Sequence, residues 1–328
     1  MRPRAVRARR GGMTLIEIMI SLVLVGIISG VIMRVIERQQ RFYNGVNQIM
    51  GQRGQLRQAT SVLPIDLRSL SSVGNDILAV TDSSIDFRVN VGSGVVCEKL
   101  VGGKEVVLPP LDLDNGQTLT TWFGGSAPPS GSTVWIYNDS SEAGNEEDIW
   151  QKLTLKDVHL DSSKCLTSVA FGSAADLGKN RITLELTSTE PNDPVTGGPV
   201  SQYIRVGAPV RITKRVRYAL VKRADGKSYL GFADYDKDAA DFKDFDLVSG
   251  PYDPRTSTSA TGLGFRYYDV DGVEIAPNAD DANRARIARI DLIARARTGV
   301  VRAAGIQNGI ARQYQDSLAA TVMLRNRR

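Results

Sequence analysis

A long apolar stretch near the N-terminus constrains this 328-residue chain more than any other feature. From Met13 to Met33, every residue other than Glu17 is apolar, Gly, Ser or Thr. At about 1.5 Å per residue, a helix of this length reaches about 31 Å, close to the thickness of a membrane's hydrocarbon core. A charged side chain inside that core costs about 2.5–3.5 kcal/mol on insertion scales, so the presence of Glu17 calls for a partner charge.

The segment before this stretch, residues 1–12, is strongly basic. Basic flanks stay in the cytoplasm under the positive-inside rule, so everything after the apolar stretch is predicted to be exported. The chain has 41 basic and 36 acidic residues, and the arginines of this leader account for the whole net charge of +5. The composition therefore gives no reason to expect a basic stripe on the folded domain, and no nucleic-acid partner is predicted. The leader arginines are Arg2, Arg4, Arg7, Arg9 and Arg10.

The junction between leader and apolar stretch has a recognisable spacing. Gly12 is followed by the hydrophobic Met13, three further residues and Glu17. This pattern resembles the prepilin signature of type IV pilins and type II secretion pseudopilins, although those families usually have Phe where this chain has Met13. The resemblance implies cleavage after Gly12 by a prepilin peptidase, N-methylation of the new Met13 amine, and pairing of Glu17 with the N-terminus of a neighbouring subunit.

A signal anchor and a cleaved secretory signal are the alternatives for this N-terminus. An ordinary signal anchor would let Glu17 reach the near headgroups, and it would not be cleaved. A cleaved secretory signal needs an apolar core of roughly 7–15 residues and a small-residue exit site. The apolar stretch is longer than that, and no Ala occurs between Met13 and Ala59.

Helical periodicity continues beyond the apolar stretch. Apolar residues recur at spacings of mostly three, four or seven, and polar residues cover the other face. We therefore predict one helix over residues 13–72, with a membrane-spanning part at about 13–36 and a second part that packs one side against a domain. Pro64 is expected to kink or end this helix. The stripe consists of Val35, Ile36, Phe42, Tyr43, Val46, Ile49, Met50, Leu56, Val62 and Leu63.

After Ser71, short β-rich runs alternate with clusters of Gly, Pro, Asn, Asp and Ser. This pattern is typical of antiparallel sheet with long loops, so residues 73–328 are predicted to form one exported β-rich head. Together with the N-terminal helix, this predicts an α+β fold. The predicted strands cover 84–91, 133–137, 181–187, 201–206, 210–221, 228–232, 262–269, 285–296 and 317–324, and the predicted surface loops cover 124–132, 138–148 and 190–200.

Two of these segments have a more specific pattern. Residues 290–297 alternate apolar and mostly charged side chains, which indicates a sheet with one wet face. Residues 210–221 and 229–232 flank Gly226 and predict a hairpin.

The C-terminal third is similar, loosely, to the layout of large PilW-like minor pilins and, less closely, to J-type pseudopilins of type II secretion. The segments that carry this similarity are 215–220, 262–268 and 322–326. The length of the chain favours the minor pilin, and either choice leaves the anchoring mechanism unchanged.

The chain has two cysteines, Cys97 and Cys165, and both lie in the part predicted to be exported. Oxidation is permitted there, so a disulfide is predicted. Two buried free thiols are the alternative, because spacing alone cannot establish the geometry. The single histidine, His159, has no partner at metal-ligand spacing, so no zinc site is predicted.

An acidic run raises the question of calcium, which takes several oxygen ligands. Its spacing is not that of an EF-hand, and Phe and Lys residues interrupt it, so we predict a solvated loop and no metal. The run consists of Asp234, Asp236, Asp238, Asp241, Asp244 and Asp246.

The sequence favours a structural subunit over an enzyme. It contains one histidine and none of the nucleophile, P-loop or dinucleotide motifs, so no catalysis and no cofactor are predicted. A membrane-anchored enzyme is the alternative, and its mark would be a pocket that gathers ionisable side chains. The resemblance implies an inner-membrane protein with its head in the periplasm, whose partners are a prepilin peptidase and other pilins or pseudopilins.

Overall fold

A computed structural model describes residues 13–72, 74–99, 104–124, 127–138, 149–165, 174–186, 204–252, 262–301 and 312–324. It shows the predicted α+β fold, in which a long N-terminal helix is followed by antiparallel β-structure. The helices are α1 (Leu15–Leu67) and α2 (Asp281–Ala285), and a 3₁₀ turn covers Ala174–Asp176. The strands are β1 (Ile77–Val80), β2 (Ser84–Val95), β3 (Glu98–Lys99), β4 (Glu105–Leu108), β5 (Thr121–Trp122), β6 (Thr133–Asn138), β7 (Ile149–Asp161), β8 (Arg181–Leu186), β9 (Pro209–Lys222), β10 (Ser228–Asp236), β11 (Asp241–Phe242), β12 (Asp246–Tyr252), β13 (Leu263–Tyr268), β14 (Glu274–Ile275), β15 (Arg289–Val301) and β16 (Arg312–Met323).

Residues 1–54 and 297–316 form the first of two compact units. The described part of this unit contains α1 up to Gly54 and portions of β15 and β16. Arg53 of α1 donates from Nε to the Asp316 carboxylate at 2.9 Å and from Nη2 to the Tyr314 hydroxyl at 2.8 Å. These hydrogen bonds connect α1 at Arg53 with β16.

Residues 55–296 and 317–328 form the second unit, which includes the last part of α1. Leu56, Ala59, Leu63 and Leu67 are fully buried there. Their spacing of three or four residues places them on one helical face. Of the predicted stripe, Leu56 and Leu63 are thereby confirmed as buried, whereas Val62 is only partly buried. In the first unit, the stripe residues Val46 and Ile49 are partly buried. The other stripe residues of this unit are 41–66% exposed: Val35, Ile36, Phe42, Tyr43 and Met50.

Helix α1 ends at Leu67, earlier than the predicted 72. Pro64 lies in its last turn, where it removes one helical N–H donor, and the helix ends three residues later. The Ser71 N–H donates to the Asp76 carboxylate at 2.8 Å, and the Asp76 N–H donates to the Ser71 carbonyl at 3.1 Å. The backbone at Ser71 is therefore used by a turn and cannot extend the helix.

Most of the described strands belong to one twelve-stranded sheet with antiparallel pairing. Its main order is β1-β2-β9-β6-β7-β8-β4-β3, while β10 pairs with β9, β11 and β12, and β5 pairs with β2. The longest contact runs between β2 and β9. Strands β9 and β10 form the predicted hairpin, and Gly226 adopts a φ of 77° in its turn, a conformation that glycine reaches without steric cost.

Alternation along the strands builds two apolar cores in the second unit. In the first core, α1 packs with side chains of β1, β2, β9 and the smaller sheet. The second core lies among β4, β6, β7, β8 and the first half of β9. Strand β9 contributes Val210 and Ile212 to the second core and Val216 and Tyr218 to the first.

The smaller sheet has the order β14-β13-β15-β16. Ile290, Leu292, Ala294 and Ala296 of β15 are fully buried, whereas the residues between them are partly exposed. This confirms the one-sided alternation predicted for that strand.

The predicted set of strands was in part wrong and in part incomplete. Residues 204–206 are irregular and enter a turn at Gly207, which has a φ of 93°; residues 201–203 lie outside the described parts of the chain. The strand predicted from 285 begins only at Arg289, because the Asp280 carboxylate accepts the Asn283 N–H at 2.9 Å and starts α2. Strands β7 and β12 were missed, as were the short strands β1, β3, β4, β5, β11 and β14. The predicted loops 138–148 and 190–200 lie almost wholly outside the described residues.

A disulfide joins Cys97 and Cys165, whose Cα atoms are 5.8 Å apart. Both cysteines pack with Val107 in a small buried cluster. The 68-residue separation gives a stabilisation of about 4 kcal/mol in the chain-entropy model of the unfolded state.

Three tyrosines of the first core have hydroxyl groups that donate inside the fold. Tyr218 donates to the Asp66 carboxylate at 2.8 Å, Tyr252 to the Gln55 carbonyl at 3.1 Å, and Tyr267 to the Thr81 carbonyl at 2.9 Å. Burial raises the pKa of Tyr252 to about 12, and it also raises the pKa of Tyr218 and Tyr267, with further contributions from nearby carboxylates.

These tyrosines predict a loss of stability at alkaline pH. Above about pH 10, unfolded tyrosine loses its proton while the folded phenols keep theirs, so the folded state binds more protons and its stability falls as pH rises. Each such tyrosine contributes a slope of about 1.4 kcal/mol per pH unit until the pH reaches its folded pKa. We expect urea unfolding of the full chain in detergent to show this decline, and Tyr252→Phe to make it less steep. A free energy of unfolding that is constant from about pH 9 to about pH 12 would contradict the assignment.

Candidate functional site

Helix α1 begins with a capping box formed by Thr14 and Glu17. The Glu17 backbone N–H donates to Thr14 Oγ1 at 3.4 Å, and the Thr14 backbone N–H donates to Glu17 Oε2 at 3.3 Å. This reciprocal arrangement satisfies two backbone donors that have no partner within the helix. It also places the carboxylate at the positive end of the helix dipole.

The capping box gives Glu17 a partner within its own chain. The predicted partner was a charge on another subunit, and Thr14 was not among the predicted site residues. The signal was present in the sequence, because Thr followed three residues later by Glu before an apolar run is the pattern of such a cap.

The apolar residues that follow the cap are open to the surroundings. From Met13 to Ile36, the large apolar side chains are between 41% and 79% exposed. The most hydrophobic window of α1 has a mean hydropathy of 2.6 and no buried residue, and the helix is long and apolar enough to cross a membrane. An apolar surface of this extent requires lipid or other protein to cover it.

The other residues singled out from the sequence lie elsewhere. Gly12 is outside the described residues, so only Met13 and Glu17 of the signature are seen, and Met13 is 70% exposed. His159 of β7 lies 3.2 Å from the Glu185 carboxylate on the surface of the large sheet. Cys97 and Cys165 form the buried disulfide.

The acidic run extends from the end of β10 to the start of β12. Asp234 lies 2.8 Å from Lys214 Nζ, and Asp236 accepts the backbone N–H groups of Asp238 and Ala239 at 2.9 and 3.2 Å. Within the described parts of the chain, no group of three or more His, Cys, Asp or Glu residues is placed to hold a metal ion.

Comparison with protein families bears on the N-terminal segment. The family model for the prokaryotic N-terminal methylation motif matches residues 7–33, which include the leader junction, Glu17 and the whole apolar stretch. The N-terminus is pilin-like. The motif implies processing by a prepilin peptidase and assembly with other pilins, and with the apolar helix it fits a protein anchored in the inner membrane. Comparisons with curated proteins and with solved structures found no match.

Proposed function

We propose that this chain is a minor pilin-like structural subunit of the large PilW-like kind. A prepilin peptidase removes residues 1–12, the new Met13 amine is N-methylated, and the mature subunit takes part in assembling or initiating a type IV pilus-like filament. The match of residues 7–33 to the methylation motif is the observation that carries this proposal.

The exposed apolar surface of α1 supports the anchoring step. Before assembly, the segment of about 13–36 spans the inner membrane and the β-rich head lies in the periplasm. In a filament, the same surface packs against the helices of neighbouring subunits. Because lipid and helix bundle are both apolar, the subunit can pass between them without exposing this surface to water.

Glu17 makes the packing of subunits in the filament specific. In the single subunit its carboxylate belongs to the capping box with Thr14. Cleavage after Gly12 would create an amine at Met13, and the Glu17 carboxylate would pair with the methylated amine of a neighbour. Two opposite charges in an apolar bundle stabilise it only when they meet, so the pair fixes the register of adjacent subunits.

A J-type pseudopilin of type II secretion is the alternative within the same processing pathway, and it differs only in the filament that it joins. We propose no enzymatic activity for either case. Recovery of the chain with pilins in sheared filaments, or with secretion pseudopilins, distinguishes the two.

The direct test is intact-mass and N-terminal analysis of the protein from membranes, with and without the prepilin peptidase. We expect a mature chain that starts at methylated Met13 when the peptidase is present, and an uncut chain when it is absent. A Met1 start in both samples would contradict the proposal and identify a signal-anchored protein.

A further inference from the structure

A cleft opens beside β9, at the point where the partner of that strand changes. Strand β6 pairs with Val210–Thr213 of β9, and β10 pairs with Val216–Lys222 along the rest of the strand. Lys214 and Arg215 lie between these two paired segments of β9 and pair with neither β6 nor β10. The cleft at this junction has a volume of about 670 Å³, within the usual range for small-molecule sites.

The wall of the cleft next to β6 is held in place by several contacts. The Gly131 N–H donates to the Leu155 carbonyl at 2.8 Å, and the Ser132 hydroxyl donates to the Pro129 carbonyl at 2.6 Å. Gly131 has a φ of 83°, and a Cβ at this position would lie 3.0 Å from the Lys237 side chain on the opposite wall. Because this wall makes its own hydrogen bonds, the cleft is formed before any ligand arrives.

Positive charge exceeds negative charge among the lining residues. Two of the three carboxylates have partners, since Asp234 lies against Lys214 and Asp236 accepts two backbone N–H groups. The lining cations are Arg88, Lys214, Arg215, Lys237 and Lys243, and the lining carboxylates are Asp234, Asp236 and Asp238.

Arg88 and Arg215, which lie on adjacent strands, both line the cleft. They face each other in the β2–β9 register. Arg88 donates to the Asn75 carbonyl and lies over the Trp135 ring, whereas Arg215 donates from Nη2 to the Asp86 carboxylate at 3.0 Å. The buried Nε of Arg215 has no hydrogen-bond partner among the described residues.

The electrostatics at Arg88 also favour an anion. Burial lowers the pKa of Arg88, Asp76 raises it, and the positive charges of Arg215 and Arg211 lower it by smaller amounts. Arginine stays charged in proteins, so this repulsion remains in the folded state. An oxyanion placed between the two guanidinium groups would relieve it and accept charge-assisted hydrogen bonds.

The remaining polar groups that line the cleft can form hydrogen bonds with hydroxyl groups of a ligand. Ser130 and Thr133 offer hydroxyl groups, and Asp236 and Asp238 offer carboxylate acceptors. We infer that this cleft binds a small hydroxyl-rich molecule bearing one carboxylate or phosphate, whose anionic group lies against Arg88 and Arg215.

A pocket lined by several ionisable side chains is also the feature expected of the alternative, a membrane-anchored enzyme. In the part of the chain that the structure describes, the residues that line this cleft include neither His nor Cys. Hydrogen bonds from the Ala239 and Asp238 backbone lower the pKa of Asp236, which makes its carboxylate a weak base. The lining therefore favours binding over catalysis.

Calorimetric titration of the full chain in detergent tests the inference with four probes. Glucuronate and glucose 6-phosphate carry hydroxyls and an anionic group, glucose lacks the anion, and inorganic phosphate lacks the hydroxyl-rich body. We expect one or both charged sugars to bind more tightly than glucose and phosphate, and the tighter of the two identifies the anionic group. Failure of both charged sugars to bind below about 10 mM would overturn the proposal. If glucose bound as tightly as the charged sugars, the proposed role of the oxyanion would be wrong. If inorganic phosphate bound as tightly as the charged sugars, the proposed role of the hydroxyls would be wrong.

Arg215→Gln and Arg217→Gln form a matched pair of variants. Both arginines lie on β9 and pair with Asp86, so either variant leaves Asp86 with one guanidinium, but only Arg215 lines the cleft. Loss of a charge-assisted bond predicts binding weaker by about tenfold or more for Arg215→Gln and unchanged binding for Arg217→Gln. Equal loss in both would contradict the assignment. If Arg215→Gln does not fold, the exposed Lys243→Gln should weaken binding in the same direction, and unchanged binding would count against the site.

Discussion

Replacing Gly12 by Val is expected to leave an uncut precursor in the membrane. The prepilin resemblance places the scissile bond after Gly12, and a branched side chain there would obstruct the close approach of the backbone to the peptidase. Because residues 1–12 stay attached, the Met13 amine never forms and cannot be methylated. Intact mass of the membrane protein separates precursor from mature chain directly.

Gly11→Val is the matched control for that experiment. Gly11 precedes Gly12 and lies outside the Gly, hydrophobic, three-residue, Glu pattern, so this variant should still be trimmed to Met13. Efficient trimming of Gly12→Val would show that the cleavage site has been assigned wrongly.

Glu17→Gln is expected to leave membrane insertion intact and to reduce incorporation into filaments severely. Gln keeps an oxygen that can accept the Thr14 N–H, so the capping box survives while the charge is lost. A neighbouring methylated amine then has no counter-charge in an apolar bundle, which is a large cost for an unpaired charge. The readout is the fraction of subunit recovered in sheared filaments relative to the membrane fraction.

Thr14→Ala provides the complementary variant. It removes the hydroxyl that accepts the Glu17 N–H, at a cost of about 1 kcal/mol to the start of the helix, but it leaves the carboxylate in place. We expect incorporation of Thr14→Ala to stay close to that of the unaltered chain. Normal incorporation of Glu17→Gln would refute the charge-pairing model, and an equal defect in Thr14→Ala would assign the effect to the helix cap.

The features predicted correctly from the sequence depend on neighbours along the chain. The long apolar helix α1 and the alternation of β15 are local patterns, and both are present in the structure. The β9–β10 hairpin was also predictable, because Gly226 and the flanking runs are contiguous. Two of the errors arose where a polar side chain changed the backbone locally, as Asp280 does at the start of α2 and Asp76 does after the end of α1.

The net charge of the chain does not reveal how its charged side chains are arranged in the fold. Without its leader arginines the chain is close to neutral, so its composition gave no reason to expect a basic stripe on the folded domain. The fold nevertheless brings Arg88 of β2 opposite Arg215 of β9. A composition counts charges but does not say which strands become neighbours.

The sequence by itself determined the membrane-capable helix, the prepilin-type motif and the alternating pattern of an α+β head, because each follows from residues a few positions apart. Only the tertiary structure decided the geometry of the Cys97–Cys165 disulfide, the division of β9 between two cores and the cleft at Arg215. Those features depend on pairing between distant strands, such as the contact of Asp86 with Arg217 across 131 positions. Such pairing is set by the burial of whole strand faces and leaves no local signature in the chain.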